Sequence, residues 1–277
     1  MKKLFCMADI HGHWMLAYDA LENAGFDLDN PDHIFVHCGD LLDRGPDNYK
    51  CLELVNSIPK DRKILIWGNH EELLQEACAR TRFLSHDYNN GTVKTVADLA
   101  HFSYEDVYKY DLTAQAAMIQ AMTDPEWLVY KNSCYDFAII GQYIFVHGWI
   151  PTHFYDGTLV TALDRVNGDW KDGNWRKARW LNGMEEWAKG NRMIDRTIVC
   201  GHWHTSWGHA YLHNNGLEFQ EAYEESIEET DPNRMEHFEP FIDDGIIALD
   251  ACTIHSKKVN CKILEITDEE WAMKEMR

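Results

Sequence analysis

His33-Ile34-Phe35-Val36-His37-Cys38 is an apolar run that stops at Gly39-Asp40. The run is short, β-branched and aromatic, and continuous rather than alternating, which suits a strand buried on both faces. Four more runs have the same form. Lys3-Leu4-Phe5-Cys6-Met7-Ala8 leads into Asp9-Ile10-His11, and Lys63-Ile64-Leu65-Ile66-Trp67 leads into Gly68-Asn69-His70-Glu71. Tyr143-Ile144-Phe145-Val146 leads into His147-Gly148, and Thr197-Ile198-Val199-Cys200 into Gly201-His202-Trp203-His204.

Between the first three runs lie helical patterns. Trp14 to Ala24 carries Ala17 and Leu21, and Ala20 and Ala24, four residues apart, with Gly25 as a stop signal. Asp47 to Ser57 ends before Pro59, and Glu71 to Arg82 puts Leu73, Leu74, Ala77 and Cys78 on one face. Strand alternating with helix predicts an α/β layered fold. Phe83 to Ser133 breaks the rhythm and reads as a helical insertion folding over the C-terminal strand ends. A second insertion, 151–196, is rich in tryptophan (Trp170, Trp175, Trp180, Trp187). Gly245 to Ile266 reads as two or three strands, Ile246-Ile247-Ala248-Leu249 and then Val259 to Ile266 in alternation. With no repeat and no flexible linker, residues 1–277 are expected to form a single domain.

The chain carries 46 acidic and 26 basic side chains, a formal charge of −20. That charge argues against a nucleic-acid binder, which gains affinity by setting Lys and Arg on phosphates, and equally against docking on an anionic membrane. Segment 218–244 holds eleven acids and one Arg, so half of the excess charge lies there, as a solvated loop or a cation-binding stretch. Leu4 to Ala8 is too short for a signal-peptide core or a spanning helix. Eight scattered cysteines without a C-x-x-C pair read as free thiols in a reducing cytosol, so a cytoplasmic location is expected.

In open α/β sheets ligands bind beyond the carboxyl ends of the strands. Here those ends offer Asp9, His11, Asp40, Asp43, Asn69, His70, His147, His202 and His204. Imidazole mixed with hard oxygen donors suits divalent ions such as Mn, Fe or Zn. Any one of these residues says little; five clusters, each directly after an apolar run, say much more.

The motifs D-I-H-G-H (9–13), G-D-L-L-D-R-G (39–45), G-N-H-E (68–71), V-H-G (146–148) and G-H-W-H (201–204) resemble those of the calcineurin-like metallophosphoesterases. Within that superfamily the chain is similar to the phosphoprotein-phosphatase branch with its bacterial and phage members, over about residues 1–266. The resemblance implies a four-layer αββα sandwich with helical insertions over the active site. It also implies a pair of divalent metal ions, of Mn, Fe, Zn or Ni. Asp9 and His11 correspond to ligands of the first metal, Asp40 to the carboxylate bridging both, and Asn69, His147 and His202 to ligands of the second. His204 corresponds to a residue that completes the first site in the wider superfamily but is often not His in this branch. His70 and Asp43 resemble the acid pair and Arg44 the phosphate clamp.

Departures from the family pattern leave alternatives open. Where a second phosphate-binding Arg is expected, the chain has Ala178-Arg179-Trp180-Leu181-Asn182; Arg179 is one candidate and Asn182 a neutral substitute. Trp149 either narrows the pocket mouth, stacking on a planar substrate group, or packs in the core. Asn89 to Thr95 is similar to a Gly/Thr lid element of the bacterial branch, or is a plain turn and helix cap. The implied activity is hydrolysis of phosphomonoesters by direct attack of metal-bound hydroxide, most simply as a serine/threonine-type protein phosphatase. A dinucleoside-polyphosphate hydrolase or a cyclic-nucleotide or other small-molecule phosphodiesterase is the alternative. The implied partner is thus a phosphorylated protein or a small phosphoester.

Overall fold

The structure, a computed structural model, describes residues 1–213 and 238–277. Residues 218–237 of the acidic segment lie outside the described residues.

Two sheets carry the fold. The first is built from β1 (Lys2–Met7), β2 (His33–His37), β3 (Lys63–Ile66) and β4 (Cys134–Tyr135), which run parallel in that order. The second begins with β5 (Ala138–Ile140), β6 (Tyr143–Phe145) and β7 (Thr197–Cys200). β8 (Phe241–Asp243) and β9 (Ile246–Ala248) follow as a hairpin, and β6, β7 and β9 are mutually parallel. β10 (Lys262–Ile266) closes the first sheet antiparallel to β1, and β11 (Glu275–Met276) edges the second beside β5.

The continuous apolar runs are explained by what lies on each side of them. Along β1, Leu4, Cys6 and Ala8 face the second sheet and pack with Ala138, Ile140, Phe145 and Val199. Phe5 and Met7 face the other way, onto helices. Strands with both faces buried have no polar position to alternate with. The second sheet turns Ile144, Val146, Ile198 and Ala248 outward against Trp149, Trp170, Trp175 and Trp187. The layers are therefore helix, sheet, sheet, helix, as the resemblance implied.

Helices α1 (Trp14–Ala24) and α2 (Asn48–Ser57) form as their spacing predicts, and Gly25 closes α1 in the left-handed region at φ 79°. Helix α3 (Asn69–Arg80) starts two residues earlier than predicted, so that Asn69 and His70 occupy its first turn. Segment 83–133 is helical: α4 (Ser85–Asn90), α5 (Thr92–Ala100), α6 (Tyr104–Lys109), α7 (Asp111–Thr123) and α8 (Pro125–Lys131). Its predicted place needs correction. Val93, Val96, Ala117, Met118 and Trp127 bury themselves in the same core as α1, α2 and α3, because that is where apolar partners are. The start of α5 reaches the loop after β2, where Thr92 and Thr95 meet Asp43, and Trp127 and Tyr130 of α8 pack on Trp67 just past β3. The strand predicted to begin at Val259 begins at Lys262; Asn260 instead gives its side-chain amide to the carbonyls of Phe238 and Leu249. Among the described residues no helix is long and apolar enough to cross a membrane.

Candidate metal centre

The carboxyl ends of β1, β2, β3, β6 and β7 converge, and the polar residues that follow them meet there. The backbone is contorted to do this. Among the described residues eleven non-glycine residues have positive φ, and Asp9, His11, Asp40, Asp43, Arg44 and His202 are six of them. Such conformations cost of order 1 kcal/mol or more each and survive only where the surroundings impose them, which is typical of sites. The glycines beside them allow close approach: a β-carbon on Gly68 would collide with the Asp40 carboxylate, and one on Gly201 with that of Asp9.

Asp40 is the centre of the arrangement. Among the described residues two groups of side chains are compact enough to hold a metal ion, His11–Asp40–His70 and Asp40–His147–His202, and Asp40 belongs to both. Its Oδ1 lies 3.2 Å from His147 Nε2; its Oδ2 lies 3.7 Å from His11 Nε2 and 3.9 Å from His70 Nε2. Burial opposes its ionisation, but His147, His70 and His11 outweigh that and hold the Asp40 carboxyl well below the usual range.

The imidazoles are oriented by backbone carbonyls. His11 Nδ1 donates to Leu42 O at 2.9 Å and His147 Nδ1 to Cys38 O at 2.8 Å. A carbonyl only accepts, so each Nδ1 carries the proton and each Nε2 turns its other valence to the cluster. Asn69 Oδ1, at 2.7 Å from His147 Nε2, adds a further oxygen. Burial, aided by Arg44, holds His11 well below its usual pKa, and burial, aided by His147, holds His202 down to about 3, so both imidazoles present lone pairs. Asp9 is fully buried and accepts the His202 backbone N–H at 3.0 Å. Burial, with Asp250 and Asp40 nearby, pushes its carboxyl well above the usual range. Lone pairs and crowded carboxylates facing one volume are a donor set that fits divalent cations.

A second constellation adjoins the first. His70 Nδ1 donates to Asp43 Oδ2 at 2.8 Å, while Arg44 bridges two rings, its Nη1 3.1 Å from His11 Nε2 and its Nη2 3.0 Å from His70 Nε2. Asp43 is fixed on every side: the hydroxyls of Thr92 and Thr95 donate to its carboxylate at 2.8 and 2.5 Å, and its own N–H donates to Asn48 Oδ1. The Asn89–Thr95 element is thus neither a free lid nor a plain cap. It is the anchor of Asp43.

Three expected site residues stand elsewhere. Trp149 is fully buried in the outer core, with its indole N–H on Asn191 O at 3.0 Å, so it neither narrows the mouth nor stacks on a substrate. The indole at the rim is Trp180, 47% exposed and edge-on to His202 at 5.8 Å. Arg179 turns to Asp136 and Glu72, whose carboxylates occupy its guanidinium; both partners are remote in sequence, so nothing local reveals the pairing. Asn182 caps the following helix, accepting from the N–H groups of Met184 and Glu185. His204, like Asp9, is in neither compact group but stays close enough to Asp250 and Arg44 to feel their charges, and burial lowers its pKa.

Two residues escaped sequence reasoning. Asp250, buried just beyond β9, follows an apolar run as the other site residues do and was legible on that ground. Glu71 is fully buried, and its carboxylate accepts from the N–H groups of Asp40, Leu41, Leu42 and Gly68 at 2.9–3.3 Å. It ties the loop bearing Asp40 to the start of α3. Burial, with Asp40 beside it, pushes its pKa up to about 7. Replacing Glu71 with Ala orphans four donors in the interior and is expected to cost about 3–5 kcal/mol of stability, read as a lower midpoint in urea unfolding. An unchanged midpoint would contradict this account of the loop.

Comparison with known proteins bears on the chemistry. The family model for calcineurin-like phosphoesterases matches residues 2–215. Serine/threonine-protein phosphatase 1 of Salmonella typhimurium is 31% identical over 81 residues, which is 29% of this chain and 35% of that protein. Among solved structures, one provisionally assigned as a diadenosine tetraphosphatase superposes with a TM-score of 0.51 at 15% identity, covering 95% of this chain and 89% of that one. The cold-active protein-tyrosine phosphatase of a psychrophilic Shewanella superposes with a TM-score of 0.50 at 17% identity, covering 100% and 80%. At those identities the two structures share the fold.

Proposed function

From the premise that this chain belongs to the calcineurin-like phosphoesterase family, and so is a metal-dependent phosphoric ester hydrolase, we propose that it acts as a serine/threonine-type protein phosphatase on phosphomonoesters. The observation carrying this reading is a carboxylate shared by two metal-holding groups, with a His–Asp pair and a forked cation directly beside it.

In this reading Asp9, His11 and Asp40 hold one ion, and Asp40, Asn69, His147 and His202 the other. When bound, the ion pair supplies Lewis acidity and lowers the pKa of water at the site. The chain's own residues do the rest. Arg44, the one exposed member, offers a planar fork that fits two phosphoryl oxygens. His70 gives the proton at Nε2 to the departing alkoxide oxygen, while Asp43 keeps its grip on Nδ1 and sets the ring plane. The two threonines hold Asp43 so that this direction does not wander.

A second reading has one observation in its favour. A cavity of about 360 Å³ beside Arg44 is lined by Tyr88 and Tyr104, a surface on which the base of a nucleotide can stack. A substrate panel separates the two. The chain reconstituted with Mn, Fe, Ni or Zn is assayed on a phosphoserine peptide, p-nitrophenyl phosphate, diadenosine tetraphosphate and a cyclic nucleotide. The expected result is fastest turnover of the phosphopeptide, lost on chelation and restored by metal. Faster turnover of the dinucleotide transfers the site to the second reading, and no monoester hydrolysis with any metal overturns the first.

A further inference from the structure

At the far end of the second sheet, where β6 and β7 begin, lies a cavity of about 700 Å³. The metal-binding ends of the same strands are about 13 Å or more away, from the rise of a four-residue strand. The cavity wall carries four cations, Arg165, Lys171, Arg192 and Arg196, against one acid, Asp195. In a chain with 46 acids and 26 bases this is a local reversal of sign.

The three guanidiniums are also under-used. Arg165 Nη2 donates to Asn191 Oδ1 at 2.9 Å, Arg192 Nε to Trp187 O at 3.0 Å, and Arg196 Nη1 to Gly141 O at 3.0 Å. Each partner is neutral. No carboxylate lies within salt-bridge distance of any of the three among the described residues; the nearby Glu186 is engaged by Lys189 and Asn191. Arg165 Nε is buried with no partner at all. A guanidinium has five donors, so most of this capacity is unspent. All three side chains are half-buried, and cations drawn even partly out of water are normally paired, because removing them from it is expensive. Lys171 differs in being bound to Glu275.

The rim has the opposite character. Val166 and Ile194 line the cavity while 68% and 74% exposed. Cationic depth with an apolar lip, in a volume suited to a small molecule, selects an anion attached to an apolar body.

We infer that this cavity is a second, non-catalytic anion site that takes a small organic phosphate, its phosphate on Arg165, Arg192 and Arg196 and its apolar part against Val166 and Ile194. The site is separate from the metal centre and does not depend on the activity proposed for it.

Calorimetric titration of the metal-loaded full chain with phenylphosphonate, which has no hydrolysable P–O–C bond, tests this. Two sites per chain are expected, one at the metal centre and one here. Arg165→Ala with Arg196→Ala removes one site and leaves p-nitrophenyl phosphate turnover within twofold of the parent. Ile194→Glu, a change at an exposed position that the fold tolerates, weakens the same site at least tenfold by adding a carboxylate to the lip. Inorganic phosphate, lacking the apolar body, binds this site at least fivefold more weakly than phenylphosphonate. Should the metal centre bind no anion, one site sensitive to Ile194→Glu still remains. A second site that survives both variants, its absence from the parent, or equal affinity for the two probes overturns the inference.

Discussion

Asp40→Asn is expected to lower kcat/KM for p-nitrophenyl phosphate by about 10³-fold or more, equivalent to about 4 kcal/mol of transition-state stabilisation. Asparagine keeps the shape of the side chain and removes its charge. The loss falls on both metal-holding groups at once, because Asp40 is the only member they share. The amide also brings an N–H₂ to one of two places now occupied by acceptors. Oδ1 accepts the His70 N–H at 3.0 Å and faces His147, and Oδ2 faces His11 and His70. Either orientation of the amide therefore spoils one half of the site. Metal content should fall in parallel, measured by elemental analysis of the dialysed protein. A variant that keeps its full metal complement and a tenth of the parent activity would show that Asp40 is not the shared ligand.

His70→Asn is expected to lower kcat by about 10²–10⁴-fold, the usual contribution of a positioned general acid. The more telling result is its dependence on the leaving group. p-Nitrophenolate departs readily without a proton, whereas the alkoxide of a serine does not. The loss should therefore be greater on a phosphoserine peptide than on p-nitrophenyl phosphate. An equal loss on both substrates would assign His70 to holding metal, which its membership of the His11–Asp40–His70 group also permits, and would remove it from proton transfer.

Much of the candidate site was legible because the chain sets each candidate ligand at a fixed place in a repeated grammar. A strand buried on both faces rarely contains charge, so the first polar cluster after it marks where the sheet ends. Asp9, Asp40, Asn69, His147 and His202 all announce themselves in that way. The residues misread belong to other physics. Trp149 and Trp180 carry the same side chain, and only the packing of 151–196 on the second sheet decides which is core and which is rim. Arg179 was read from its neighbours in sequence, while its charge is answered by Glu72 and Asp136. Glu71 looked like an ordinary residue in a first helical turn; its role depends on four amides that converge only once the Asp40 loop has folded against it.

The seam between the two sheets also sets an order in time. Asp9, His11, Asp40 and His70 all lie within the first 70 residues, on successive parallel units that fold locally. His147 and His202 come much later, and the contacts that seat them join distant parts of the chain: His147 to Cys38 across 109 residues, His202 to Asp9 across 193. Contacts of such separation form late, after their loop-closure entropy has been met. One metal-holding group is thus drawn entirely from residues 11–70, around the end of β2, which lies between β1 and β3; the other needs residues that follow strands of the second sheet. The first sheet alone carries half of the donor set, and the second sheet is what turns that half into a pair.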